Sequence, residues 1–122
     1  MKALIIDDSP TICTVVEYLL RHQGWDCEVA HSAKHGMELL SSDGHQIDLV
    51  IVDHTLNHID GLSVLEEYRK QGRSTRSILL SQDDRDSIVG RAQDLGATCW
   101  VHKPLSLDNM KKAIEYSLNT KF

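Results

Sequence analysis

Three carboxylates, a hydroxyl and an ammonium draw attention in this chain because each ends or directly follows a short apolar run. Ala3–Ile6 runs into Asp7-Asp8, Ile47–Val52 into Asp53, Ser77–Leu80 into Ser81, and Thr98–Val101 is soon followed by Lys103-Pro104. Carboxylates brought together repel one another, so a pocket shared by Asp7, Asp8 and Asp53 either raises their pKa values or recruits a cation. Oxygen ligands with open positions suit Mg²⁺, which keeps several waters and completes its shell with a phosphate oxygen. Lys103 adds a point charge able to hold a phosphoryl oxygen. A carboxylate, Mg²⁺, a lysine and a hydroxyl in one place make a phosphoryl-transfer site, where catalysis is mostly positioning and charge neutralisation.

Residues so far apart in sequence need a scaffold that gathers strand ends. Gly24, Gly44, Gly72 and Gly96 each follow a stretch with helical spacing, where a helix places a left-handed residue just past its end. Between them alternate five short apolar runs: the four above and Cys27–Ala30. Several of these lack polar alternation, as expected of parallel strands covered on both faces. The first helix carries an apolar stripe of Ile12, Val15, Val16, Leu19 and Leu20 behind Ser9 as N-cap and Pro10 at its first position. Ala33, Met37 and Leu40 mark a second helix after Ser32, and Leu62, Leu65 and Tyr68 a third. Ile88, Ala92 and Leu95 mark a fourth, interrupted by Gly90; Leu107, Met110, Ile114 and Leu118 mark a fifth after Ser106. Five strands alternating with five helices predict an α/β fold, a doubly wound parallel sheet with right-handed crossovers. Strand C-termini share one edge of such a sheet, which is where ligands bind. The second strand ends without a chemical group, as expected at the sheet's outer edge.

The bulk composition agrees. The 122 residues are 41% hydrophobic and 25% charged, with no low-complexity tract, so one domain over residues 1–122 is expected. With 13 basic against 18 acidic residues, the net charge of −5 disfavours a nucleic-acid backbone or an anionic membrane as direct partner. Three cysteines, Cys13, Cys27 and Cys99, form no CxxC and no even framework, which fits a reducing cytoplasm. Cys13 falls off the apolar stripe of the first helix, while Cys27 and Cys99 read as strand core. The apolar stretch at the N-terminus is too short for a signal peptide's core, and no stretch approaches the roughly 18 apolar residues of a membrane span.

At these residues the chain resembles the receiver domain of two-component response regulators, over essentially its full length. The resemblance is carried by Ile5-Ile6-Asp7-Asp8-Ser9, Leu49-Val50-Ile51-Val52-Asp53, Asp60-Gly61, Ser81 after Ile78-Leu79-Leu80, and Lys103-Pro104, in that order and spacing. It implies a flavodoxin-like five-stranded sheet in the order 2-1-3-4-5. It also implies that Asp53 accepts phosphate from the phosphohistidine of a histidine kinase or histidine phosphotransferase, switching a surface that binds a downstream effector protein. Under the same resemblance Asp8 ligates Mg²⁺ directly, Asp7 through water and Thr55 by its backbone carbonyl. Ser81 and Lys103 contact the phosphoryl oxygens, and Trp100 falls at the switch aromatic. Such a protein catalyses only its own phosphorylation and dephosphorylation. No output domain follows the fifth helix, so the expectation is a stand-alone regulator or a receiver cut from a longer protein.

Three residues depart from the usual pattern. Asn57 stands where many receivers have Pro, Gln82 where a small residue is common, and Trp100 where Tyr or Phe is usual. The Lys103-Pro104 bond is a candidate cis peptide. Among seven histidines, His31 and His35 are spaced four apart on the expected second helix, and His54 and His58 flank the acidic pocket; solvated positions are the expectation for all four. Two other classes compete. A flavin- or nucleotide-binding module of the same fold should carry a Gly- or Ser/Thr-rich phosphate loop after the first strand, where this chain has Asp7-Asp8. An aspartyl phosphatase should carry a second acid/base and a substrate cap, for which 122 residues leave little room.

Overall fold

The computed structural model describes residues 1–43, 47–56, 58–72, 75–82, 90, 94 and 99–119. Strands β1 (Lys2–Ile6), β2 (Asp26–Ala30), β3 (Leu49–Asp53), β6 (Arg76–Ser81) and β7 (Cys99–His102) form one sheet in the order β2-β1-β3-β6-β7, all neighbours parallel. Counting only these five, this is the order 2-1-3-4-5. β3 is buried at all five positions, which explains its unbroken apolar sequence.

Helices α1 (Pro10–His22), α2 (Ala33–Asp43), α3 (Leu62–Lys70) and α4 (Leu107–Asn119) supply the covering layers. α4 is the fifth helix expected from the sequence. The expected fourth, with Ile88, Ala92 and Leu95, lies outside the described residues, as do Gly44, Asn57, Gly96, Thr98 and the side chain of Leu118. The Ser9 hydroxyl accepts a hydrogen bond from the Ile12 N–H at 3.3 Å, with Pro10 at the first helical position. Gly24 and Gly72 take left-handed φ values of 88° and 76° just past α1 and α3, as their spacing predicts.

The sheet divides the core in two. Ala3, Ile5, Leu49, Ile51, Ile78, Leu80 and Val101 join Val16 and Leu20 of α1 and Met110 and Ile114 of α4. Leu4, Ile6, Val50, Val52 and Leu79 join Leu40 of α2 and Leu62, Leu65 and Tyr68 of α3. This alternation puts Trp100 against the second cluster while Val101 and Cys99 belong to the first, as the period of a strand requires.

Several local expectations are corrected. The buried face of α1 is centred on Cys13, Val16 and Leu20, so Cys13 points inward and Ile12 and Leu19 flank it. Leu107 is 58% exposed, because as the first residue of α4 it precedes the turn that meets the sheet. His31 precedes α2, whose start is capped by the Ser32 hydroxyl accepting from the His35 N–H at 3.1 Å, so the two histidines do not share a helix face. The segment after Asp53 forms a small antiparallel hairpin, β4 (Thr55–Leu56) with β5 (Ile59–Asp60), and His58 at its turn has φ 67°.

Candidate functional site

Ladder bonds continue past the strand ends and fix the residues that carry chemistry. The Asp7 N–H donates to the Ala30 carbonyl at 3.0 Å, the His54 N–H to Leu80 at 2.8 Å, and the Lys103 N–H to Ser81 at 2.8 Å. Asp7, Asp53, Ser81 and Lys103 therefore converge on the C-terminal edge of β1, β3, β6 and β7, as the sequence predicts.

Carboxylate oxygens of Asp7, Asp8 and Asp53 all lie within 4.8 Å of one another. Asp7 is fully buried, Asp53 is 4% exposed, and Asp8 is open to solvent. The Asp7 Oδ1 accepts the Ser9 N–H at 2.8 Å, and the Asp53 Oδ1 accepts the Thr55 N–H at 3.3 Å. Lys103, with 12% of its side chain exposed, holds its Nζ 3.0 Å from Asp53 Oδ2 and 3.5 Å from Asp7 Oδ2. Burial pushes the Asp7 carboxyl up from its ordinary value, and the Asp53 charge raises it further; the Ser9 N–H and Lys103 pull the other way.

The donor set fits a hard divalent cation. Three carboxylates against one ammonium leave two formal negative charges, and among the described residues the buried Asp7 Oδ2 has only the Lys103 ammonium, 3.5 Å away, facing it. All candidate ligand atoms are oxygens, which favours Mg²⁺ over the softer transition metals. Asp7, Asp8 and Asp53 are the side chains that could hold it, and Thr55 is tied to them through its N–H on Asp53 Oδ1.

Around this centre the backbone is tightly fitted. A Cβ placed on Gly61 would stand 1.7 Å from the Asp53 carbonyl oxygen, so only glycine lets the start of α3 close over the end of β3. The Gly61 N–H also donates to the His54 carbonyl at 2.6 Å. On the opposite side, the Cys13 thiol donates to the Asp7 carbonyl at 3.3 Å, and His31 Nδ1 lies 3.1 Å from that same oxygen. Burial, with Asp7 close by, raises the Cys13 thiol to about 11; burial also raises Cys27 and Cys99, so none is a poised thiolate.

One histidine escaped the sequence reading, while His31 is exposed as expected. Its Nδ1 nonetheless reaches the Asp7 carbonyl oxygen from solvent. His54 is not a solvated loop residue: its side chain is 15% exposed, with Nδ1 3.4 Å from Ser81 Oγ and Nε2 3.7 Å from Asp60 Oδ1. The register that pairs Asp53 with Leu80 places the next residues, His54 and Ser81, side by side. Trp100 is half-buried, its indole N–H has no hydrogen-bond partner among the described residues, and its ring meets His102 edge-on at 6.3 Å. Gln82 is exposed and lines a cleft of about 490 Å³ with Lys103, Pro104, Ser9 and Ile12. The Lys103-Pro104 peptide is cis. Among the described residues no helix is long and apolar enough to cross a membrane.

Known proteins share both sequence and architecture. The response regulator receiver domain family matches residues 3–115. The transcriptional regulatory protein TrcR of Mycobacterium tuberculosis is 31% identical over 112 residues, covering 90% of this chain and 42% of that protein. The response regulator ArlR of Staphylococcus saprophyticus is 28% identical, covering 96% of this chain and 52% of that protein. The chain thus spans about half or less of the length of these relatives. A response regulator receiver domain from Clostridium thermocellum superposes with a TM-score of 0.84 at 28% identity, covering 97% of this chain and 94% of that one. The CheY of a CheX-CheY-BeF3-Mg complex from Borrelia burgdorferi shares the fold with a TM-score of 0.90 at 21% identity, covering 99% and 90% of the two chains. With the acidic pocket, the lysine and the sheet order in hand, these matches make the chain a member of the receiver-domain family of two-component response regulators.

Proposed function

We propose that Asp53 is the phosphoacceptor of a phosphorelay and that residues 1–122 act as one receiver domain. The observation that carries this reading is Lys103, whose Nζ bridges Asp53 and Asp7 inside the carboxylate cluster. An Asp53 carboxylate oxygen attacks the phosphorus of a phosphohistidine; the P–O bond forms as the P–N bond breaks, and the imidazole leaves with its electron pair and takes up a proton. Lys103 and Ser81 hold the phosphoryl oxygens. Asp8, Asp53 and the Thr55 carbonyl would hold Mg²⁺, with Asp7 behind them, and the ion would supply neutralisation of the charge gathered there. The cleft beside Lys103 gives the donor imidazole an approach, and Gln82 at its rim shields the phosphoryl group.

The donor is a histidine kinase or histidine phosphotransferase, and the recipient of the signal is an effector protein that reads a surface including Trp100. The domain turns over no separate metabolite. Relatives named as transcriptional regulators are about twice as long as the matched region or more, and the acidic balance of this chain favours a protein over nucleic acid as its direct partner. The proposed setting is the cytoplasm. Incubation with Mg²⁺ and acetyl phosphate, followed by intact mass measurement, tests the reading: wild type should gain one hydroxylamine-labile phosphate and Asp53→Asn none. Equal labelling of the two proteins would defeat it.

A further inference from the structure

We propose that His54 is a positioning residue that holds the Ser81 hydroxyl and must release it before Ser81 can bond a phosphoryl group on Asp53. The proposal rests on the reading of Asp53 as phosphoacceptor.

His54 is fixed at both ends. Its carbonyl takes the Gly61 N–H at 2.6 Å and its own N–H reaches Leu80 at 2.8 Å. The ring lies between Ser81 Oγ, 3.4 Å from Nδ1, and Asp60 Oδ1, 3.7 Å from Nε2. Asp60 is itself held, since its Oδ1 accepts the Leu62 N–H at 2.9 Å at the start of α3. Of the two neutral tautomers, a carboxylate facing Nε2 favours the one with its proton on that nitrogen, which leaves Nδ1 as an acceptor; the tautomer is assigned from the partners. Ser81 is 1% exposed, and its hydroxyl carries one proton.

That single proton sets up a competition. Phosphoryl oxygens accept and do not donate, so a bond from Ser81 to a phosphoryl group spends the same proton that His54 Nδ1 receives. Whatever factor the His54 contact contributes to the unphosphorylated form is subtracted from the phosphorylated form, because coupling between two equilibria is reciprocal. A neutral hydrogen bond at the long end of the range corresponds to about a two- to fivefold effect. The route also has a direction: Ser81, His54, Asp60 and the first turn of α3 are linked in sequence, so release of the hydroxyl frees a ring that abuts the β4–β5 hairpin.

The test uses the whole chain, with beryllofluoride and Mg²⁺ as the phosphoryl mimic and urea unfolding of the metal-free protein as a second readout. His54→Leu should bind beryllofluoride about two- to fivefold more tightly than wild type, and the gain should vanish in a Ser81→Ala background. Without metal, a double-mutant cycle should give a His54–Ser81 coupling of the same factor in favour of the folded protein. His54→Asn keeps an acceptor near the Nδ1 position and should behave as wild type, whereas His54→Gln carries its amide toward the Nε2 side and should behave as His54→Leu. If His54→Leu does not fold, the Asn and Gln variants decide. Equal affinities for those two, or a gain that persists without the Ser81 hydroxyl, would overturn the proposal. Wild-type protein that neither binds beryllofluoride nor takes phosphate from acetyl phosphate would overturn the phosphoacceptor reading, and this proposal with it.

Discussion

Lys103 Nζ stands 3.0 Å from Asp53 Oδ2, one strand removed from it in the sheet, with β6 between β3 and β7. The lysine therefore reaches across the end of β6 to the central strand, and it does so from a position that leaves 12% of its side chain exposed. Among the described residues, its charge is the nearest compensation that the buried acidic pair possesses.

Removing that charge should be felt in the fold before it is felt in the chemistry. Lys103→Ala is expected to lower the stability of the metal-free protein by about 2 kcal/mol at pH 7, because Asp7 and Asp53 are left buried against one another. Urea denaturation measures the loss, and millimolar Mg²⁺ should restore part of it. A stability equal to wild type would mean that the ammonium does not sit between the two carboxylates.

Asp7 makes an opposite prediction. Its folded-state pKa is raised, first by burial and then by Asp53, so the folded protein binds this proton more tightly than the unfolded chain does. The stability contributed by the group is complete below the ordinary value of 3.8 and is lost as pH rises through the raised folded value. At neutral pH the carboxylate therefore carries a cost. Asp7→Asn should melt higher than wild type at pH 7 without metal, the advantage should fade below about pH 4, and added Mg²⁺ should stabilise the variant less than wild type. Melting curves across pH, with and without Mg²⁺, check the sign; a variant less stable at pH 7 would refute it.

Gly61→Ala tests the fit over Asp53. The added methyl group meets backbone, the Asp53 carbonyl oxygen at 1.7 Å, so the hairpin or the start of α3 must move. A loss of about 1–3 kcal/mol is expected, together with slower labelling by acetyl phosphate as Asp53 shifts. Unchanged stability and labelling would show that the loop yields freely.

Trp100 should report the switch. With Trp25→Phe removing the other indole, emission from Trp100 is expected to change when Mg²⁺ and beryllofluoride are added, and the change should disappear in Ser81→Ala. Vacating the space near Ser81 gives a neighbouring half-buried ring somewhere to move. An identical spectrum with the mimic bound would make Trp100 a packing residue.

The fold was legible because buried parallel strands leave unbroken apolar runs, of which Leu49–Asp53 is the clearest, and because Ser9, Pro10, Gly24 and Gly72 mark helix ends with residues chosen for backbone reasons. The acidic pocket was legible for a related reason: each group stands at the end of such a run. Other features depend on tertiary neighbours. Cys13 shares one helical face with Val16 and Leu20, a stripe hidden by the more apolar Ile12, Val15 and Leu19 beside it, and its thiol donates to the Asp7 carbonyl. The β4–β5 hairpin has two residues per strand, too few to leave a period. The burial of His54 follows from the register between β3 and β6, and that register is set by strands 23 residues apart, between Asp53 and Arg76.

The division of the core by the sheet has a further consequence. Leu20 and Leu40 are both fully buried, yet they belong to different clusters on opposite faces, so their substitutions share no packing partner. Their energetic effects should combine by simple addition, as for distant sites generally. The molecule behaves as a laminate, with two separately adjustable layers bonded to one rigid board, and the acidic pocket lies on the board's edge, where changes in either layer arrive only through the strands.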